Sequence, residues 1–205
     1  MQGKTLLTLI LLLAITLQTV AQIQKGDLLL GGTVGFNNGS YPASSYSNAG
    51  ISPHIAMAVS NQAAIGFGIG ANYSATENAE KSVGISGSVF YRKYFLIKDK
   101  LGWYLHTSAT LGWSKDEQSF LDSTGTTYTK TYTNSQNYTL SVTPGLYYQV
   151  TPSVLLNADF GGVGGSYSNS GDGWSYNIFV NFFQNFLFGV DFIIGKNRKS
   201  PPSSN

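Results

Sequence analysis

The chain has no cysteine among its 205 residues. This absence excludes a disulfide-stapled scaffold, a thiolate metal site and a cysteine nucleophile. Charge is also scarce, because Asp, Glu, Lys and Arg make up 11% of the chain, against about 25% in ordinary soluble domains. The net charge is only +2 and no basic patch is present, so the sequence does not indicate a partner nucleic acid.

Long apolar runs are missing beyond the N-terminal segment, and the mean hydropathy is −0.03. A bundle of transmembrane helices is therefore excluded. Aromatic residues instead reach 14%, and there are 24 glycines. Few charges, many aromatic rings and much glycine are typical of strands that alternate apolar with small polar residues, as membrane-spanning β-barrels do.

The N-terminal segment has the features of a secretory signal peptide. Lys4 supplies the positive charge, Leu6–Leu17 is apolar apart from two threonines, and Thr19–Ala21 offers small residues for cleavage. The alternative is an uncleaved signal anchor, but a run of about twelve residues is too short to cross ~30 Å of hydrocarbon. The predicted division of the chain is a signal peptide at 1–21, a barrel at 22–195 and a short polar periplasmic tail at 196–205.

The remaining chain predicts an all-β fold, an eight-stranded antiparallel up-and-down transmembrane barrel. The predicted strands are 27–37, 49–60, 63–74, 82–95, 102–114, 137–149, 153–167 and 178–194. Alternation is the main reason: in the third strand Ile65, Phe67 and Ile69 share one face and glycines occupy the other. From Trp174 to Ile194 the even positions stay apolar except Gln184. We expect one long, protruding strand there rather than a bend at Gln184–Asn185.

The distribution of charge predicts which face meets lipid. Arg92, Asp159 and Asp191 all fall on the face rich in Gly, Ser and Thr, whereas the apolar face carries only Lys93, near a strand end. A charge on the lipid face costs roughly 2–4 kcal/mol at the bilayer midplane and little near its surface. The sequence therefore predicts an apolar exterior and a polar interior.

Tryptophan spacing predicts the thickness of the apolar band. Trp103 and Trp113 share one face ten residues apart, which in a tilted strand covers about 25 Å. With Tyr73 and Tyr148 they form the predicted aromatic girdle; the alternative is a pair of core tryptophans in a soluble sandwich. Short and long connections alternate, which predicts periplasmic termini and external loops, the longest at 115–136.

The inward charges predict a plugged lumen. Arg92, His106, Asp159 and Asp191 all lie a few residues from the predicted periplasmic strand ends, and His54 also faces inward. Because a buried charge needs a partner, we expect these side chains to form a cluster of ion pairs and hydrogen bonds. No catalytic, metal-binding or cofactor-binding residue is predicted.

Several segments resemble the small outer-membrane β-barrels common in Bacteroidetes, which are similar to the OmpA and OmpX type. They are Gln24–Gly26, Gly50–Ile55, Val59–Gly68, Tyr91–Phe95 and Phe188–Phe192. The resemblance implies an eight-stranded barrel, often with no assigned activity. The chain departs from the pattern by ending in the tail Gly195–Asn205 rather than at an aromatic residue, and this tail is too short for a peptidoglycan-binding domain.

These observations predict a non-enzymatic barrel of the bacterial outer membrane, with a structural or surface role carried by external loops. Its expected partners are outer-membrane lipids and lipopolysaccharide, and a surface partner at the 115–136 loop. One alternative is a small channel. Another is a lipid A-modifying enzyme, which would need a histidine and a serine near the external rim, where neither histidine is predicted. A soluble ligand-binding barrel would turn the apolar face inward and leave Arg92, Asp159 and Asp191 in water.

Overall fold

The computed structural model describes residues 23–41, 44–76, 80–121, 128–170, 173–182 and 186–195. The predicted signal peptide and the predicted tail at 196–205 lie outside these residues. The described chain forms ten strand segments: β1 Leu28–Tyr41, β2 Ser44–Ser60, β3 Ala63–Thr76, β4 Glu80–Lys98, β5 Leu101–Leu121, β6 Tyr128–Thr151, β7 Val154–Asp159, β8 Val163–Asn169, β9 Trp174–Val180 and β10 Leu187–Ile194. In this part of the chain, no helix is long and apolar enough to cross a membrane.

The strands close into a barrel. Each of β1 to β6 pairs with the next, β6 pairs with β7, β7 with β10, and β10 with β1, always antiparallel. The predicted all-β, antiparallel, up-and-down barrel is confirmed. The end where β1 begins and β10 finishes is called the lower end here, and the opposite end is the upper end. Eight segments form the ring at the lower end.

The seventh strand was predicted as continuous over 153–167, and this is wrong. Gly145 pairs with Asp159 and Val142 with Val163, so two residues of β6 face the three residues 160–162. The extra residue makes a β-bulge, in which Gly161 has a φ of 75°. A Cβ at Gly161 would overlap the carbonyl oxygen of Asn181. As a consequence, the odd-numbered side chains point inward in β7 and the even-numbered side chains point inward in β8.

The long strand predicted across 174–194 is also wrong, because the chain leaves the ladder after Val180 and returns at Leu187. The break lies opposite the bulge. The backbone N–H of Asn181 donates to the Gly162 oxygen (2.9 Å), and its side-chain oxygen accepts from the Gly162 N–H (2.8 Å). Gln184–Asn185 lies outside the described residues. Even-numbered side chains point outward both before and after the break, so the periodicity of the sequence alone did not reveal it.

The break leaves a gap in the upper barrel wall. Among the described residues, β9 pairs with β8 alone, and β1 pairs with β10 only as far as Gly35. From Phe36 upward, β1 pairs with β2 only. The wall is therefore open between the upper part of β1 and β9, and this gap is called the side opening below.

The predicted external loop at 115–136 is mostly strand. Lys115 pairs with Asn134, and the pairing continues up to Leu121 with Tyr128. Residues 122–127 lie outside the described chain. The polar composition suggested a loop, but threonine and tyrosine favour a pleated strand. Among the described pairings, the hairpin of β5 and β6 extends above Gln118, the last partner of β4, and above Gln136, the last partner of β8.

The buried core of the described chain lies at the lower end of the barrel. This core consists of Ile23, Leu29, Ala56, Ala58, Ala64, Phe90, Tyr94, Tyr104, Tyr147, Leu155 and Ile193. The segment before β1 folds under this core, where the Gly26 N–H donates to the Ala58 oxygen and the Ala58 N–H donates to the Asp27 oxygen, both at 2.8 Å. The large outward side chains are by contrast exposed, with Ile85 and Leu140 each at 62%.

Candidate functional site

An ion pair lies inside the lower barrel, between strands on opposite sides of the ring. Arg92 projects inward from β4 and Asp191 from β10, and Arg92 Nη1 donates to Asp191 Oδ2 at 2.8 Å. Arg92 is 2% exposed and Asp191 is fully buried. The pair spans the lumen and joins β4 to β10.

The Asp191 carboxylate accepts two further hydrogen bonds. His54 Nε2 lies 2.7 Å from Oδ1, and Asn157 Nδ2 donates to Oδ2 at 2.8 Å. Glycine at position 31 makes room for this carboxylate, because a Cβ there would overlap Oδ1. Three neighbours on three other strands therefore satisfy one buried charge.

The guanidinium of Arg92 makes a second contact that fixes a protonation state. Its Nε donates to His106 Nδ1 at 3.2 Å. Because a guanidinium has no acceptor, Nδ1 must be the unprotonated nitrogen, and His106 is the neutral tautomer with its proton on Nε2. The Phe90 ring stacks on His106 at 4.7 Å and meets His54 edge-on at 5.4 Å.

Asp159 lies beside this group but has a different partner. Its Oδ1 accepts from the hydroxyl of Tyr104, and none of the described hydrogen bonds joins it to Arg92. The Arg92 guanidinium lies over the Tyr104 ring at 4.8 Å, a cation–π contact. The structure thus brings Arg92, His106, Asp191 and His54 into direct contact, and Tyr104 links Asp159 to them. These five side chains, with Asn157 and Tyr104, are called the luminal cluster.

Sequence reasoning missed Asn157 as a member of the cluster, although it faces inward at the same parity as Asp159 on β7. That parity was the available signal. Among the described residues, Asn157 Oδ1 finds no hydrogen-bond partner.

A polar cup lies directly above the luminal cluster. It is a cavity of about 270 Å³. Hydroxyl side chains from five strands line it: Thr33, Ser52, Ser86, Ser88, Ser108, Thr110 and Thr143. Narrow walls of Gly, Ser and Thr leave this space, whereas aromatic rings fill the floor below it.

The described part of the interior presents hydroxyl, amide and imidazole groups beside a buried ion pair. Within the described ranges, no three His, Asp or Glu side chains are placed to hold a metal ion. The described hydrogen bonds also include none between a serine hydroxyl and His54 or His106.

The predicted girdle residues all lie on the outer surface, at two levels of the barrel. Trp103 and Tyr148 lie near the lower end, where Leu101 pairs with Tyr148 and Trp103 with Leu146. Trp113 and Tyr73 lie near the upper end, since Ile85 pairs with Trp113 and also with Ala71. Tyr73, Trp113 and Tyr148 are 44–50% exposed, and Trp103 is less so because Phe95 stacks on it at 4.1 Å.

Further aromatic residues at the upper level escaped the sequence analysis. Tyr138 contacts Tyr167 at 6.5 Å, and Tyr167 stacks on Trp174 at 4.6 Å. They extend the row of Trp113 across β6, β8 and β9. The strand break at 181–186 hid the relation of Trp174 to this row.

No protein-family model matches the chain, and no curated protein matches it in sequence. Among solved structures, Neisserial surface protein A aligns at 15% identity over 82% of this chain and 96% of its own, with a TM-score of 0.44. The N-terminal β-barrel domain of OprF from Pseudomonas aeruginosa aligns at 12% identity over 83% and 98%, with a TM-score of 0.40. Ail, the attachment invasion locus protein of Yersinia pestis, aligns at 12% identity over 84% and 100%, with a TM-score of 0.39. These likenesses are loose, and the function proposed for this chain follows from its own residues.

Proposed function

We propose that this chain is a non-enzymatic β-barrel of the bacterial outer membrane, with a plugged lumen and a structural or surface-contact role. One observation carries the proposal: the barrel is inside-out relative to a soluble protein. Its charged Arg92 and Asp191 are buried in the centre, whereas large apolar side chains such as Phe67 and Ile85 are 50–62% exposed outside. Such an apolar surface is stable only against lipid.

The height of the apolar band supports a transmembrane position. Between Trp103 and Trp113, the outward residues of β5 are Leu105, Thr107, Ala109 and Leu111, none of them charged. Charge reappears at Lys115, just above Trp113. The rise between the two tryptophans is about 25 Å, which matches the apolar band of outer-membrane barrels and its two aromatic girdles.

The filled lower lumen favours a closed barrel over a channel. The ion pair of Arg92 and Asp191 crosses the interior, and Tyr104 and Tyr147 are buried below it. An eight-membered ring is just wide enough for side chains to fill. We infer that the luminal cluster links opposite walls and holds the barrel shut rather than conducting solutes.

The orientation follows from the unequal ends. The lower end holds tight connections such as Asn61–Gln62 and Asp99–Lys100, together with the first described residues and the end of β10. We propose that it faces the periplasm, with both termini there. The extended hairpin of β5 and β6 then projects outside, where its polar residues can contact lipopolysaccharide or a surface partner.

Cold-versus-boiled electrophoresis tests the barrel, and tryptophan quenching tests its position. Single-tryptophan variants that keep only Trp103 or only Trp113 are placed in vesicles of brominated phosphatidylcholine. Bromines near the headgroups should quench both tryptophans more strongly than bromines at the chain ends. Leu140→Trp, on the outer face of β6 between the girdles, should show the reverse order. A chain that needs no detergent for extraction and shows no quenching would overturn the membrane position.

A further inference from the structure

A cavity lies beside the side opening, next to the upper part of β1 and lined also by β2, β3 and the start of β10. The cavity measures about 760 Å³, a size that accommodates a small organic ligand. Four consecutive residues of β1, Thr33 to Phe36, border it. Because successive side chains of a strand point to opposite faces, this cavity has lining residues on both the luminal and the outer face. Thr33 to Gly35 still pair with β10, and Phe36 is the first residue of the unpaired edge of β1.

The two sides of this cavity differ in chemistry. The luminal side presents hydroxyls and amides, from Thr33, Ser52 and Asn72 among others, whereas the outer side presents Phe36, Phe186 and Phe188. No charged residue is among its described lining residues. The cavity therefore suits a molecule with an uncharged or zwitterionic polar head and an apolar tail.

The side opening offers a lateral route into the cavity from the membrane. Below the cavity, the luminal cluster and buried aromatic side chains occupy the described part of the lower barrel. Thr33, Ser52 and Leu187 line both this cavity and the polar cup, which makes the cup an extension of the same space. Leu187 projects inward against Gly35, where a Cβ would overlap it. A head group passing Leu187 would meet the ring of hydroxyls above the cluster.

We propose that the side opening binds a single-chain lipid from the surrounding membrane, with its net-neutral head in the upper lumen and its acyl chain along the apolar edge of β1. This proposal rests on the membrane position proposed above. The unpaired edges of β1 and β9 also favour the proposal, because exposed backbone N–H and C=O groups are costly in hydrocarbon. The polar head of a bound lipid can hydrogen-bond the β1 edge, while its acyl chain lies against the surrounding lipid.

The test uses the full mature chain in phosphatidylcholine vesicles containing lysophosphatidylcholine with a diazirine near the carbonyl end of its acyl chain. After illumination, labelled residues are located by peptide mass spectrometry. Labels should concentrate on lumen-facing Thr33 and Ser52 and on the rim residues Phe36 and Leu187. Ser52→Trp, which fills the space where cavity and cup meet, should reduce luminal labelling about tenfold, equivalent to ~1.4 kcal/mol of lost binding.

The matched control is Ala71→Trp, one position away across the β2–β3 ladder but pointing outward, and it should leave luminal labelling unchanged. Thr33→Leu provides a smaller obstruction if Ser52→Trp fails to show a heat-dependent mobility shift, and it should also reduce luminal labelling. Labels spread evenly over the outer face, with none on luminal residues, would overturn the binding proposal and leave the membrane position standing. A chain labelled on neither face would overturn the membrane position and the lipid site together.

Discussion

Asp191→Asn should be among the most destabilising single substitutions in this barrel. The change keeps the shape of the side chain but removes the negative charge that accepts from Arg92, His54 and Asn157 at 2.7–2.8 Å. The guanidinium stays buried, and its remaining partners are His106 at 3.2 Å and the Tyr94 hydroxyl at 3.5 Å, neither of them charged to oppose it. Removing one partner of a buried ion pair costs about 3–5 kcal/mol.

The double variant isolates the ion pair from the rest of the cluster. Arg92→Met alone should cost a similar ~3–5 kcal/mol, since it leaves the Asp191 carboxylate buried. Together the two changes remove both charges, so the combined loss should fall short of the sum of the single losses by at least ~2 kcal/mol. Folded fractions are measured by urea titration in detergent micelles, from the share of chain that keeps its unboiled electrophoretic mobility.

Asp116→Asn is the matched control, because its carboxylate accepts from the Ser135 hydroxyl at 2.9 Å near the upper rim, where it is partly exposed. Loss of that hydrogen bond should cost at most ~1 kcal/mol. If Asp191→Asn cost no more than this control, or if the two cluster substitutions were additive within ~0.5 kcal/mol, the luminal cluster would not be a coupled buried ion pair.

Three other expectations follow from the described contacts. Gly161→Ala should destabilise the barrel by about 1–3 kcal/mol, because the bulge needs a positive φ, whereas Gly165→Ala, with only ordinary contacts around its Cβ, should be neutral in the same urea titration. Nitrogen NMR should find His106 protonated on Nε2; a proton on Nδ1 would contradict its hydrogen bond from Arg92. Planar-bilayer recordings of the native chain should show no conductance steps above the lipid background, while Tyr104→Ala combined with Tyr147→Ala should introduce leakage; steps from the native chain would contradict a filled lumen.

Much of the fold was predictable from the sequence, because the alternation of apolar and small polar residues predicts the two faces of each strand. The strands β2 to β6 were located within a few residues at their lower ends, where turn residues such as Asn61 and Asp99 interrupt the pattern. Their upper ends were set too low. The polar residues of 115–121 and 128–136 carry no apolar face, so the pattern offered no reason to extend the strands.

The luminal cluster was predictable in outline for a related reason. Parity placed Arg92 and Asp191 on the same face, and the cost of burying a charge required a partner. Their direct contact depends on the order in which strands close the ring, which brings β4 and β10 to face each other across the lumen. The alternation pattern could not show that Arg92 pairs with Asp191 rather than with Asp159, because both carboxylates face inward at similar heights.

The strand break was not predictable, because its cause lies in the neighbouring strand. The bulge at Gly161 displaces the chain opposite it, and the Asn181 side chain then bonds to Gly162. Even-numbered residues are apolar both in β9 and in β10. One continuous strand and two separate strands therefore give the same alternation in the sequence. The local signs were a glycine pair within the neighbouring strand and Gln184, which interrupts the apolar series.

The β8–β9 hairpin is joined to the rest of the barrel along one flank. Each strand of the lower ring has two partners, whereas among the described pairings β9 has only β8, and β8 reaches the wall through β6. Cooperativity in a sheet comes from having neighbours on both sides, so this hairpin forms a separate unit of lower local stability. Amide exchange would therefore proceed through partial opening at the hairpin long before global unfolding releases β7 and β10. We expect backbone fluctuations to be larger in this hairpin of the upper wall than in the lower ring.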